Sequence, residues 1–217
     1  MLPIEIPEGT TIESLVTEVV PALHARMVAP APAGAPADAF VVAVRIEGAG
    51  DWTVRIRGSV MTVEEGLEEG GKKGGAGQPT LWMHTTDRAV ERFLDDATGP
   101  RRFLPKFVPA GGVTTMSDPR VVKRVAMASG RIELAVHDED GSRLAVAFGF
   151  GHAARKPIDP EGADVIVETH LATLERVLRG DLGPEEALAD GDVTVRGNRF
   201  LALQLALAVA PFYPPRR

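Results

Sequence analysis

Apolar positions along this chain follow two periods, and the switch between them marks out the elements. Ile12, Leu15, Val16, Val19 and Leu23 recur three or four residues apart, the spacing of one helix face. Thr10 and Glu13 fit a capping box at the start of that helix, and Pro21 is expected to kink or divide it. The Pro/Ala run at 29–39 holds neither helix nor central strand and reads as a linker. Two extended runs follow, 40–46 and 51–60. The second sets Trp52, Val54 and Ile56 on one face, and Gly48-Ala49-Gly50 is placed to join the two as a hairpin. Residues 64–79, rich in Gly, Glu and Lys, read as a mobile loop.

The second half of the chain aligns on the first. Residues 79–100 align without a gap on 163–184, sharing the pairs Thr85/Thr169, Glu91/Glu175, Arg92/Arg176, Leu94/Leu178, Gly99/Gly183 and Pro100/Pro184. Residues 111–128 fall on 191–208, and 43–58 fall on 135–150, each copy of the latter reading strand, turn, strand. The same order of elements in three blocks predicts a tandem duplication, with a first unit over residues 1–128 and a second over 129–217. Glu91-Arg92 and Glu175-Arg176 recur in both copies and are read as the solvent faces of two equivalent helices.

Composition narrows the function. With 217 residues and 44% apolar content the chain can bury a real core. A net charge of −6, with no basic run of useful length, argues against a nucleic-acid partner. The absence of cysteine removes disulfides and thiolate chemistry. The first residues lack the basic and apolar regions of a signal peptide, and no segment approaches the roughly 18 apolar residues of a membrane span. A cytoplasmic protein without an integral membrane segment is expected, and a homo-oligomer is compatible with the sequence.

Motifs for catalysis fail on context. Residues 149–154 follow the dinucleotide pattern, but the helix it needs is missing, and the Gly-rich 66–77 lacks the Gly-Lys-Ser/Thr ending of a P-loop. His24, His84, His137, His152 and His170 are scattered without metal-ligand spacing, so neither metal nor cofactor is expected. The segment 199–210 is apolar on almost every side except Gln204. Such a helix is either core between two units or the cover of a cavity.

A family resemblance rests on the second copy. Ala163-Asp164, the run Leu178-Arg179-Gly180-Asp181-Leu182-Gly183-Pro184, the short Glu186-Ala187-Leu188 helix, the Gly191–Arg196 strand and the Gly197-Asn198 turn before an apolar last helix resemble the C-terminal half of a sterol carrier protein 2-type lipid-binding domain. The first copy departs from it, with Asp96 and Ser117 where Gly180 and Gly197 stand in the second. The resemblance implies an α+β fold, two repeats of mostly antiparallel sheet with helices on one face. It also implies an apolar tunnel for fatty acids, acyl thioesters or sterol- or isoprenoid-like lipids, with the last helix as a lid.

Two functions follow from that cavity. As a carrier, the protein would line its site in the second copy with Ile166, Leu174, Val177, Leu178, Val193, Val195, Leu201 and Leu205. Trp82, Val90, Phe93, Leu94, Val113 and Val125 are the counterparts in the first. As an enzyme, it would be a cyclase, isomerase or hydrolase acting on a polyketide- or isoprenoid-like intermediate. His84, Glu168 and His170 would then be the groups tested first, His84 and Glu168 being assigned matching positions on equivalent strands.

Overall fold

The computed structural model describes residues 2–3, 6–28, 40–67, 79–95, 107–108, 119–155, 162–179, 181–202 and 204. The Pro/Ala run at 29–39, most of the Gly-rich segment and 205–217 lie outside the described residues.

The described chain is built on one mixed sheet. Its strands are β2 (Phe40–Glu47), β3 (Gly50–Arg57), β4 (Val60–Glu65), β5 (Leu81–Thr86), β7 (Gly130–His137), β8 (Arg143–Phe150), β9 (Val165–His170) and β10 (Val193–Gly197), in the order β10-β9-β7-β8-β5-β2-β3-β4. A separate two-stranded sheet pairs β1 (Leu2–Pro3) with β6 (Phe107–Val108). In the large sheet β2–β5 and β7–β9 are parallel and every other pairing is antiparallel. The expected mostly antiparallel arrangement is therefore a single mixed sheet, continuous across residues 128 and 129 through the β5–β8 pair. The run at 51–60 divides at Gly58, which turns the chain (φ 59°) into β4.

Strand order and direction recur along the sheet. β5-β2-β3 and β9-β7-β8 have the same parallel and antiparallel neighbours. The hairpins share one register, since Ala43 pairs with Thr53 and Val44 with Trp52 where Ala135 pairs with Ala145 and Val136 with Leu144. The parallel pairs do not. Ala43 lies opposite Trp82 but Ala135 opposite Glu168, two residues further along than the gapless alignment places it. His84, opposite Arg45, is thus level with His170, opposite His137, and not with Glu168. Among the described residues β4 has no strand counterpart in the second half, where a 3-10 turn spans Gly151–Arg155.

Helices cover one face of the sheet because only that face is continuously apolar. α1 (Ile12–Ser14), a π-helical stretch Leu15–Val19 and α2 (Val20–Met27) form one segment. The cap is Thr11 with Ser14 rather than Thr10 with Glu13, the Thr10 hydroxyl being turned back onto the Pro7 carbonyl at 2.6 Å. The wide turn ahead of Pro21 accommodates a residue with no N–H, so the helix changes winding instead of breaking. Ile12 and Val16 pack on the same core as Phe40, Val42, Val44, Ile46, Val54 and Ile56. α3 (Asp87–Leu94) lies against β5 and β8, and α5 (Leu171–Arg179) against β9 and β7. α4 (Pro119–Met127) contributes Val122 and Val125. α6 (Pro184–Ala189) touches α5 and β10. At Gly197 (φ +92°) the chain leaves β10 for the last described helical turn, and a Cβ there would run into the Asp164 carbonyl oxygen.

Candidate ligand-binding site

Side-chain alternation separates the two faces of the sheet. On the helix side, Gly130 pairs with Phe150, Ile132 with Phe148, Leu134 with Val146 and Val136 with Leu144. Val165, Val167, Val193 and Val195 continue that face across β9 and β10. One end of this surface is closed: Val125, Ala128, Phe150, Val165 and Leu201 are all buried in one cluster. The other end is open. Leu134 is 42% exposed although β7 is an interior strand with a helix on either side of it, and Val136, Leu144, Val146 and Val167 are only half-buried. Since α5 sits over β9 and β7 while α3 sits over β5 and β8, the β7–β8 seam lies between two helices as an apolar floor.

The walls of this groove are tied at its open end. Arg92 of α3 donates from Nε to Asp138 Oδ2 at 2.7 Å, with a second bond from its terminal nitrogen, and so clamps the β7–β8 turn. Asp138 is buried, and its carboxylate also accepts from the Glu139 backbone N–H at 2.8 Å. Arg92 is therefore not a solvent-face residue as its sequence position suggested; its partner 46 residues away is invisible to helical periodicity. Arg176, at the equivalent place on α5, lies 3.7 Å from Asp192 in the loop before β10. The Thr169 hydroxyl donates to the Asp192 carbonyl at 3.0 Å, fixing that loop to β9.

The residues expected to line a site divide between the faces. Val193 and Val195 share the helix side with Val125 and Leu201, which belong to the closed end. Val90 packs on the same core, Phe93 and Leu94 are half-buried on α3, and Leu174 and Val177 are half-buried on α5. Trp82 and Ile166 are on the opposite face, because the alternation that points Met83 and Val165 toward the helices points them away. Trp82 packs there with Ala43, Ala147 and Leu67, and its indole nitrogen is buried with no acceptor among the described residues. Val113 and Leu205, and the side chain of Leu178, lie outside the described residues. The floor residues Leu134, Val136, Leu144 and Val146 were missed. Their signal is present, as alternating apolar positions in 132–136 and 144–150, but the sequence reading of this hairpin stops at strand, turn, strand.

The polar candidates are all on the face away from the groove. His84 is buried, 3.9 Å from Glu47, in an open cleft of about 620 Å³ with Arg45, Asp51 and Glu65. In that cleft Arg45 holds Asp51 through two bonds of 2.8 and 2.7 Å, which lower the Asp51 pKa and raise that of Arg45. Glu168 belongs to a second cluster, with Arg196 at 2.5 Å, His137 at 3.6 Å and Arg143 at 3.9 Å; Arg143 also pairs with buried Glu133. The His170 ring is 5.8 Å from that of His137. β5 and β9 are three strand spacings apart, roughly 14 Å, so His84 and Glu168 do not converge on one atom. Among the described residues no group of three or more His, Asp or Glu side chains is placed to hold a metal. No helix among them is long and apolar enough to cross a membrane.

An apolar floor between two helices, with the ionisable groups gathered on the other side of the sheet, is the geometry of a domain that shelters an apolar ligand. The model of the SCP-2 sterol transfer family matches residues 114–209, which contain α4, β7–β10 and the whole groove floor, and supports lipid binding and transfer. No curated protein matches the chain. Among solved structures, it is similar to sterol carrier protein 2 of Yarrowia lipolytica in its apo form, at 14% identity over 45% of this chain and 82% of that one (TM-score 0.32). The sterol carrier protein domain 2 of Helicoverpa armigera gives 18% identity over 47% and 82% (TM-score 0.36). A palmitated sterol carrier protein 2-like protein of Aedes aegypti gives 16% over 46% and 98% (TM-score 0.30). At such scores the structural likeness adds no weight to the family match.

Proposed function

We propose that this protein binds and carries a hydrophobic ligand, a fatty acid, acyl thioester or sterol- or isoprenoid-like lipid, in the groove over the β7–β8 seam. The observation that carries the reading is Leu134, a large apolar side chain at the centre of an interior strand that keeps 42% of its surface exposed on the helix side. In a sheet packed to ordinary interior density this position is filled by the overlying helices. Here a ligand supplies the missing contacts.

The energetics suit such a site. Each buried methylene contributes about 0.8 kcal/mol, so about ten of them give roughly 8 kcal/mol before the cost of immobilising the chain. After an immobilisation cost of about 4 kcal/mol, a chain that buries about fifteen methylenes keeps roughly 8 kcal/mol, which is micromolar affinity with few polar contacts. Tandem duplication, with units at 1–128 and 129–217, accounts for the recurring strand order and the shared hairpin register. The units share a sheet, so each covers an edge of the other through the β5–β8 pair. A cytoplasmic carrier fits this reading, a homo-oligomer is compatible with it, and nothing in it needs a cofactor or a nucleic-acid partner.

Native mass spectrometry of the purified full chain, before and after organic extraction, tests the proposal. A co-purifying mass of fatty acyl, sterol or isoprenoid size is expected. A clean apo mass that also takes up no added fatty acid refutes it.

A further inference from the structure

The two halves share one hairpin register but not one state of packing. Val136 and Leu144 occupy the positions that Val44 and Trp52 occupy in the first half, and Leu134 and Val146 those of Val42 and Val54. Every member of the first set is buried, at 5, 5, 8 and 8% exposure for Val44, Trp52, Val42 and Val54. In the second set Leu134 is 42% exposed and the others are half-buried.

Two causes are visible. Ile12 and Val16 of the N-terminal helical segment pack onto the first-half surface. Trp52 fills the position that Leu144 holds in the second half, and its indole lies across the hairpin end, 3.0 Å from where a Cβ on Gly50 would be. The glycine leaves room for the ring, and the ring replaces the volume a guest would take.

Building on the carrier reading, we propose that the chain holds one apolar ligand and not two, and that Trp52 is the residue that closes the first half. The duplicated surface is a binding floor in one half and dry core in the other. Ile12 and Val16 cover part of the first-half surface, and Trp at the register position of Leu144 fills the space that would otherwise admit a second ligand.

The test exchanges the two residues in the full-length chain. Wild type, Leu144→Trp and Trp52→Leu are stripped of lipid, loaded with palmitate and counted by native mass spectrometry, with thermal melts in parallel. Wild type is expected to take one palmitate. Leu144→Trp is expected to take none, with at least a tenfold loss of affinity, and to melt no lower than wild type. Trp52→Leu is expected to take two. Leu134→Trp replaces Leu144→Trp if the latter does not fold, and Trp52→Phe replaces Trp52→Leu on the same condition. Two palmitates on wild type, a bound palmitate on the Leu144→Trp chain, or no gain on opening Trp52 each overturn the inference. No palmitate on any of the three chains refutes the carrier reading instead.

Discussion

Truncating Leu134 to alanine separates ligand binding from folding, because the side chain is only partly used by the fold. Full burial of a leucine side chain contributes about 1.5–3 kcal/mol, and removing a well-buried one costs about 2–5 kcal/mol once the cavity is included. Leu134 keeps 42% of its surface exposed and already borders open space, so its removal creates little new cavity. A stability loss near or below about 1.5 kcal/mol is expected, measured by urea unfolding of the lipid-free chain with an unchanged m-value. The exposed fraction is what a ligand covers. Two-fifths of the transfer energy is roughly 0.6–1.2 kcal/mol, which corresponds to about a three- to eightfold weaker affinity for a fluorescent fatty acid. A loss of 3 kcal/mol or more in stability with unaltered fatty-acid affinity would show that Leu134 is packed in solution, and the groove would fall with it.

Two further outcomes follow from the side chains around this frame. Asp138→Asn removes the buried carboxylate that Arg92 holds, leaving the guanidinium the more exposed Asp95 at 3.5 Å, and about 2–3 kcal/mol of stability should be lost. The ligand-loading rate should change as well, because α3 is no longer clamped to the β7–β8 turn; stopped-flow fatty-acid uptake beside a thermal melt checks both. His24 donates from Nδ1 to the Ser59 carbonyl at 3.3 Å, while its other ring nitrogen is buried with no partner among the described residues, and burial lowers its pKa below the usual 6.5. The unfolded chain therefore takes up the proton first. Stability from this group is complete above about pH 6.5 and declines as pH falls through that value, and His24→Gln should flatten the decline in melts between about pH 7.5 and 5.5.

Local pattern carried much of the fold into the sequence. The β2–β3 hairpin was legible because Trp52, Val54 and Ile56 alternate on one buried face and Gly48 turns the chain at φ +89°. The repeated order of strands was legible for the same reason. The joining of both halves into one sheet was not, since the β5–β8 pairing is a contact between strands more than sixty residues apart with no local signature. Face assignment failed at Trp82 and Ile166. A large apolar side chain suggests the core face, whereas the period of the strand turns both away from the helices. The pairing of His84 with Glu168 failed because a gapless alignment cannot register a two-residue shift between parallel strands.

If the proposed duplication and carrier role hold, the asymmetry between the halves bears on why two copies of one unit would be kept. An apolar floor left open on a small sheet costs stability, since its side chains gain neither packing contacts nor full removal from water. A lone unit would also leave the β8 edge unpaired. Joined as they are, the first half gives β8 a hydrogen-bonded neighbour in β5 and sets α3 beside the groove as one of its walls. Its own helix side, closed by Ile12, Val16 and Trp52, is packed as ordinary core. On the carrier reading proposed above, the stability of the first half would let the second remain unfilled until a ligand arrives, and the arginine that holds the β7–β8 turn, Arg92, comes from the first half.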